Sequence, residues 1–422
     1  MRILSSLILV IANIAAVSSL QNGLARLPPM GWMSWAKFLC ETDCKKHPNT
    51  CISEDLYAKM GNRLVTDGYK DVGYEYIHID DCWSKLQRNK EGRLEPDSTR
   101  FSKGIPWLVD FLHQRGIKLG IYGDVGPTTC AKYPGSLNHT TIDAETFASW
   151  GIDYLKFDGC FLNESGIPAE YKKMSDALIA TGKKIVYGCE WPLYLQDHPE
   201  TINYKDISSA CNLWRNFHDI DVNWQSIINT IDWYNEHQDE IAEFHGPGAW
   251  NDPDMIVAGN PEITDDQARA QMTLWSIWSA PLIMSNDLRT VTPSAKAILQ
   301  NRDVIAIDQD QIGDFGKMVF NWTDLYFYVK KVTPVVKVDD ATEFSKAIAV
   351  LNRGTVNIKI NMKLSLLDLK YDAGYSVRDL WAQKDLGLYG VNDELHLHIQ
   401  PTGVVFLKAT LVKKNRTFKW NI

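Results

Sequence analysis

Acidic side chains recur in this sequence directly after short apolar runs. Asp80-Asp81-Cys82-Trp83, Asp124, Asp158-Gly159-Cys160, Glu190-Trp191, Asp219, Asp252-Pro253-Asp254 and Asp287 all stand at such places. Aromatic and cationic residues are interleaved with them, among them Trp35, Tyr122, Lys156, Trp214 and Arg215. Carboxylates converging on one mouth with aromatic walls suit glycoside hydrolysis. One carboxylate attacks or activates water, and the opposite carboxyl protonates the leaving oxygen. No histidine cluster and no serine nucleophile elbow competes with this chemistry. The rival is a hard cation, since Asp219-Ile220-Asp221 and Asp252-Pro253-Asp254 are DxD pairs. That pattern is short, frequent by chance and common at helix caps, so neither a metal nor another cofactor is expected. His396-Leu397-His398 reads as a solvated strand face, and His78 as a satisfied core histidine.

Such a mouth needs elements that deliver many loop starts to one place. From about residue 27 to 312, apolar runs at 31–35, 74–81, 118–125, 152–159, 184–191, 213–217, 249–255 and 281–287 alternate with helical stretches. Ser53 can cap a helix that carries Leu56, Met60 and Leu64 at helical spacing. Leu108, Phe111 and Leu112 share a second face ahead of Gly116, and Tyr171, Met174 and Leu178 a third ahead of Gly182. Thr264 and Gln267 form a capping box before Met272, Trp275 and Trp278. Eight strands alternating with helices predict a (β/α)8 TIM barrel, whose active sites sit at the C-terminal strand ends. An open doubly wound sheet would bring a Gly-rich phosphate loop after its first strand, and none is present. After residue 312 the runs 325–330, 347–352, 355–362, 376–381, 395–400 and 403–408 are short and β-rich. Val356, Ile358, Ile360 and Met362 alternate with polar residues, which predicts a C-terminal antiparallel β-sandwich domain with a wet face. The α/β chain therefore divides into 1–19, 20–312 (barrel) and 313–422 (sandwich).

The chain has 422 residues, 45% apolar and 23% charged, with a net charge of −8. That composition excludes disordered, collagen-like and polytopic membrane chains. The acidic balance argues against nucleic acid, which demands basic surface. Residues 1–19 read as a secretory signal: Arg2, then an apolar run, then small residues at Val17-Ser18-Ser19. No later run is long enough to span a membrane. Eight cysteines in an exported chain predict four disulfides, whose pairing a count alone leaves open. Sequons at Asn138, Asn163, Asn321 and Asn415 are candidate glycosylation sites. The expected destination is the secretory pathway, lysosomal or extracellular.

The strand ends carry specific motifs in order: Pro29-Met30-Gly31-Trp32, Ile79-Asp80-Asp81-Cys82-Trp83, Lys118-Leu119-Gly120-Ile121-Tyr122, Leu155-Lys156-Phe157-Asp158-Gly159-Cys160, Trp214-Arg215-Asn216-Phe217 and Trp250-Asn251-Asp252-Pro253-Asp254-Met255. These resemble glycoside hydrolase family 27, the α-galactosidases and α-N-acetylgalactosaminidases, and most of all the animal lysosomal enzymes. The resemblance runs from about Leu24 to Ile312 and continues weakly to the end.

It implies a retaining exo-glycosidase that removes terminal α-linked galactose from glycolipids, glycoproteins or oligosaccharides, with Asp158 as nucleophile and Asp219 as acid/base. Lys156, two residues before Asp158, shares its strand face; its charge should hold Asp158 ionised, and Arg215 could do likewise. Burial or neighbouring carboxylates should raise the Asp219 pKa, because this group must be protonated in the first step. Trp35, Asp80, Asp81, Tyr122, Lys156, Glu190, Leu193, Tyr194, Arg215, Asp254 and Met255 stand at the family's sugar-contacting positions. Adjacent Asp80 and Asp81 need an irregular strand end if both reach the sugar. Large Glu190 and Leu193 replace the Ser and Ala of the α-N-acetylgalactosaminidases, which favours galactose over the acetamido sugar.

An α-N-acetylgalactosaminidase or a mixed enzyme is the alternative, and a silent secreted galactose-binding protein is a further one. The family pairing implies Cys40–Cys82, Cys44–Cys51, Cys130–Cys160 and Cys189–Cys211, and the resemblance implies a homodimer. Departures from the pattern are Ala36 after the first-strand Trp, Val222-Asn223 where another acid is usual, and a C-terminal domain lacking one cysteine pair.

Overall fold

The computed structural model describes residues 20–338 and 341–412. The proposed leader and Asn415 lie outside these residues. Eight parallel strands form the first sheet: β1 Met30–Met33, β2 Tyr76–His78, β3 Lys118–Asp124, β4 Tyr154–Asp158, β5 Val186–Cys189, β6 Leu213–Arg215, β7 Trp250–Asp252 and β8 Leu282–Met284. Their order is β7-β6-β5-β4-β3-β2-β1-β8. The ring closes just beyond β7, where Ile256 pairs in parallel with Met284; the Ile256 N–H donates to the Ile283 carbonyl at 2.7 Å.

Seven strands lie within their predicted runs, and β1 begins one residue ahead of its run, at Met30; all eight are shorter than predicted, because the ladder ends where chains splay into loops. Inside the barrel, small residues face large ones. A Cβ on Gly120 would fall 2.2 Å from His78 Nδ1, and one on Gly188 2.6 Å from the Tyr154 hydroxyl. His78 is a core residue, packed edge-on against Tyr154 at 4.5 Å, but it is not satisfied. Neither ring nitrogen has a hydrogen-bond partner among the described residues. Burial, with the Lys156 charge, pushes its pKa down to about 3, so the ring is neutral.

The helices begin where the sequence places caps. The Ser53 side chain accepts from the Leu56 N–H at the head of helix Glu54–Thr66. Thr264 and Gln267 form a reciprocal capping box on helix Asp265–Ile277.

The C-terminal unit has a six-stranded antiparallel sheet of order β14-β13-β16-β11-β10-β9 and a two-stranded one, β12-β15. Its strands are β9 Lys317–Trp322, β10 Leu325–Val338, β11 Ala341–Asn352, β12 Ile358–Lys363, β13 Tyr375–Asp379, β14 Lys384–Tyr389, β15 Glu394–Ile399 and β16 Val404–Leu411. Strand alternation splits β11 between two cores. Ala347, Ala349 and Leu351 join the barrel's core, and Ile348 and Val350 join the sandwich core. The wet face of β12 is present, although Val356 lies before the strand and is exposed. Polar pins cross the domain contact. Buried Lys330 donates to the carbonyls of Ser276 and Ile307, each at 2.7 Å. Arg353 forks onto Asp232 at 2.6 and 2.8 Å. No described helix is long and apolar enough to cross a membrane.

Candidate active site

Strands β3 and β4 lie in register, so Tyr122 pairs with Lys156 and Asp124 with Asp158. Their alternate residues therefore point to the same mouth. Asp158 is 7% exposed. The Tyr122 hydroxyl donates to its Oδ2 at 2.8 Å. The Tyr194 hydroxyl donates to Oδ1, and so does the Gly159 N–H, at 2.9 Å. Gly159 has to be glycine here, because a Cβ would stand 2.6 Å from the Tyr194 ring. The bridged sulfur of Cys130, which has no hydrogen to give, lies 3.2 Å from Oδ2. Burial and then the Asp158 charge hold both phenols well above their usual range, so they stay donors.

The direct partners of Lys156 differ from the expectation. Its Nζ donates to Asp80 Oδ2 at 2.9 Å and lies 3.5 Å from Glu190 Oε1. Burial works against the ammonium, but the charges of Asp80, Glu190, Asp158 and Asp219 outweigh it and keep the lysine protonated. Its action on Asp158 is thus through space rather than by an ion pair.

Arg215, from the end of β6, gathers the far wall. Its Nη2 donates to Asp219 Oδ1 at 2.9 Å. Its Nη1 lies 3.1 Å from Asp254 Oδ1 and 3.5 Å from Glu190 Oε1. Asp254 sits at φ +76°, and its Oδ2 accepts the Ile220 N–H at 2.8 Å, which ties the loop carrying Asp219. Met255 beside it is buried.

Asp219 corrects a second expectation. Burial would raise its pKa, but the Arg215 and Lys156 charges, with hydrogen bonds from Arg215 and Trp35, pull it down to about 2. Its side chain is 53% exposed in the cleft. The neighbours that decide its titration are cations, not carboxylates.

Asp80 and Asp81 do follow an irregular strand end. Strand β2 stops at His78, and Cys82 adopts φ +69°. Asp80 faces Lys156. Asp81 accepts the N–H groups of Cys82 at 2.6 Å and Ala131 at 3.0 Å, so it also holds the loop after β3. Glu190 is 2% exposed, and half-buried Leu193 opens the 3-10 turn Leu193–Leu195 that carries Tyr194.

Two carboxyls of the mouth were not among the candidate site residues. Burial pushes Asp252 up to about 6, with Arg215 opposing. Asp124 is 1% exposed beside Asp158. Both stand at strand ends, which was the available signal. Asp287, at the eighth strand end, pairs with Arg289 at 2.7 Å and does not join the site.

Asp124, Cys130, Asp158 and Cys160 converge within 4.8 Å. The two sulfurs are joined as a disulfide, so this set offers only two carboxylates to a metal. The other disulfides are Cys40–Cys82, Cys44–Cys51 and Cys189–Cys211. His396 and His398 are exposed on β15, with His396 Nδ1 2.7 Å from Asn361 Oδ1. Asn138, Asn163 and Asn321 are exposed.

Comparison with known proteins agrees with this geometry. Residues 27–310 match the family model of alpha galactosidase A, and residues 340–409 that of the alpha galactosidase C-terminal beta sandwich domain. The chain is 44% identical to human alpha-galactosidase A over 408 residues, covering 95% of this chain and 93% of the relative. It is 43% identical to chicken alpha-N-acetylgalactosaminidase over 402 residues, covering 94% and 97%. The crystal structure of alpha-galactosidase I from Mortierella vinacea superposes with a TM-score of 0.78 at 30% identity, over 92% of this chain and 98% of that one. A mouth of strand-end carboxylates, carried by a barrel and a sandwich that match both models of one family, shows that the chain belongs to glycoside hydrolase family 27, the α-galactosidase family.

Proposed function

We propose that the chain is a retaining α-galactosidase that releases terminal α-linked galactose from glycolipids, glycoproteins or oligosaccharides. The observation that carries galactose over its acetamido analogue is the setting of Glu190. This side chain is 2% exposed and lies 3.5 Å from both Lys156 and Arg215. Held between two cations, it has no room to swing aside for an N-acetyl group, and Leu193 fills the adjoining turn.

In this reading Asp158 attacks the anomeric carbon as the leaving oxygen takes a proton from Asp219. The sugar is then an ester of Asp158. Asp219, now a carboxylate, draws a proton from water, and that water cleaves the ester with net retention. The Tyr122 and Tyr194 hydroxyls aim the Asp158 oxygens at the sugar. The pull of Arg215 on Asp219 suits the second step, where a base is needed. For the first step, a bound sugar that excludes water and loosens the Arg215 contact would return the proton affinity of Asp219. All of these steps use side chains of this chain.

Four disulfides among the described residues support a secretory route, lysosomal or extracellular, in line with the leader-like residues 1–19. A homodimer is part of the same family reading, and analytical ultracentrifugation tests it.

The functional test compares kcat/KM on p-nitrophenyl α-galactoside and on the matching α-N-acetylgalactosaminide, with Asp158→Ala as control. The expected result is a strong galactoside preference that the mutant abolishes. Preference for the acetamido sugar overturns the Glu190 argument and keeps the mechanism. Tight galactose binding without turnover of either substrate makes the protein a silent binder.

A further inference from the structure

We propose that Asp124 is a positioning residue for this reaction: it clamps the backbone of the loop after β4 to that of the loop after β3, and so fixes the orientation of the Asp158 carboxylate. The inference rests on the reading of Asp158 as the nucleophile.

Asp124 closes β3 and is the register partner of Asp158 on β4. Its side chain is buried, with a carboxylate oxygen within 4.8 Å of one of Asp158's. Burying two carboxyls this close is unfavourable unless each gains partners. Those of Asp124 are backbone groups. Its Oδ1 accepts the Gly126 N–H at 2.7 Å, in its own loop. Its Oδ2 accepts the Cys160 N–H at 3.1 Å, two residues beyond Asp158 in the neighbouring loop.

The two loops touch at this point. A Cβ on Gly126 would lie 1.9 Å from the Cys160 carbonyl oxygen. The Cys130–Cys160 disulfide crosses the same gap, with Cys130 Sγ 3.8 Å from Asp124 Oδ2 and 3.2 Å from Asp158 Oδ2. The disulfide joins side chains and bonds no backbone group of Cys160. The Asp124 bond fixes that peptide. Gly159, which donates to Asp158 Oδ1, is its immediate neighbour. Burial first, and the Asp158 charge second, push the Asp124 carboxyl up to about 9.

The test uses the full chain with Asp124→Asn and Asp124→Ala. Active sites are counted by trapping with a fluorinated galactosyl donor, whose ester is located by peptide mass spectrometry. The asparagine keeps the acceptor for Gly126 but can set an amino group against the Cys160 N–H. The alanine removes both bonds. Misplacement of a reacting group by about 1 Å lowers rate roughly 100-fold, so kcat per trapped site should fall about that much in the alanine variant and about 10-fold in the asparagine variant. KM should stay within about twofold, since the sugar contacts remain. Only folded sites are counted, so a purely structural role would lower the trapped fraction and leave kcat per site unchanged; that result overturns the inference. A rise in KM with kcat intact overturns it as well. Failure to find the ester on Asp158 in the wild-type chain overturns the underlying reading instead.

Discussion

Glu190 and Leu193 set the specificity argument at the scale of single residues. Glu190 lies between Lys156 and Arg215, and Leu193 starts the turn that delivers Tyr194 to Asp158. Shortening both should open the space without touching the proposed catalytic carboxyls. The double variant Glu190→Ser/Leu193→Ala is expected to gain activity on the α-N-acetylgalactosaminide by more than about 10-fold while losing galactoside activity, since one fitted group is worth about 1–3 kcal/mol of discrimination. Parallel kcat/KM measurements check this. If the ratio of the two substrates stays at its wild-type value, the acetamido group is excluded by some other part of the pocket. The titration of Asp219 shows where residue-level reading reaches its limit. Proximity in sequence placed Arg215 four residues from Asp219, but only the fold shows the guanidinium bonded to it at 2.9 Å and countering the effect of burial.

Helix Asp265–Ile277 shows how an element serves the site it does not enter. Its Gln271 Nε2 donates to the Met255 carbonyl at 3.0 Å, and its Trp275 indole N–H donates to the Asp254 carbonyl at 2.8 Å. The helix is anchored one turn ahead of Gln271 by the Thr264/Gln267 box. Thr264→Ala should therefore lower stability by about 1 kcal/mol, the usual worth of an N-cap, with kcat unchanged. Denaturant unfolding and steady-state kinetics on the same preparation check both halves. A kcat that fell with the cap would mean that fraying travels along the helix to Asp254.

Legibility at the element scale follows burial. All eight barrel strands announced themselves because both faces are covered and the runs are mainly apolar up to the polar residues at their C-terminal ends. The sandwich was read less completely. Strands β9 and β14 were missed, and they are the two edges of the six-stranded sheet. Their side chains are mostly exposed, so selection for apolar alternation is weak there. At the site, the strand-end carboxylates could be seen as a set. Which backbone N–H each one holds depends on loop paths such as that of Ala131 to Asp81, and loop geometry leaves no periodic trace in sequence.

At the scale of the whole molecule, buried titratable groups set how stability depends on pH. Asp308 is buried, with only Gln309 donating to its Oδ2, and burial raises it to about 8 despite Lys330 nearby. Asp124 is raised to about 9, first by burial. Between pH 8 and 6.5 the folded chain holds these protons while the unfolded carboxyls, with pKa near 4, do not. Fewer protons on the unfolded chain mean that stability rises as pH falls through this window, by up to about 1.4 kcal/mol per group and pH unit. Buried His78 and His245, both lowered to about 3 by burial, work in the opposite sense below 6.5. There the unfolded chain takes up two protons that the folded chain refuses. Lys330, lowered to about 8 by burial, opposes the climb between pH 8 and about 7, where the folded chain is still taking up a proton that the unfolded lysine already holds, and is silent below that. The expected outcome is a Tm that climbs from pH 8 to 6.5 and then climbs more slowly, because Asp252, pushed up to about 6 by burial, adds a third retained proton while the two histidines work against the climb. Asp308→Asn should flatten the climb, because it removes one of the retained protons and leaves the Lys330 contacts with Ser276 and Ile307 in place. Scanning calorimetry across pH 5 to 8 on both chains decides it. A wild-type Tm that fell steadily from pH 8 to 6.5 would show that the buried carboxyls do not hold their protons in this window.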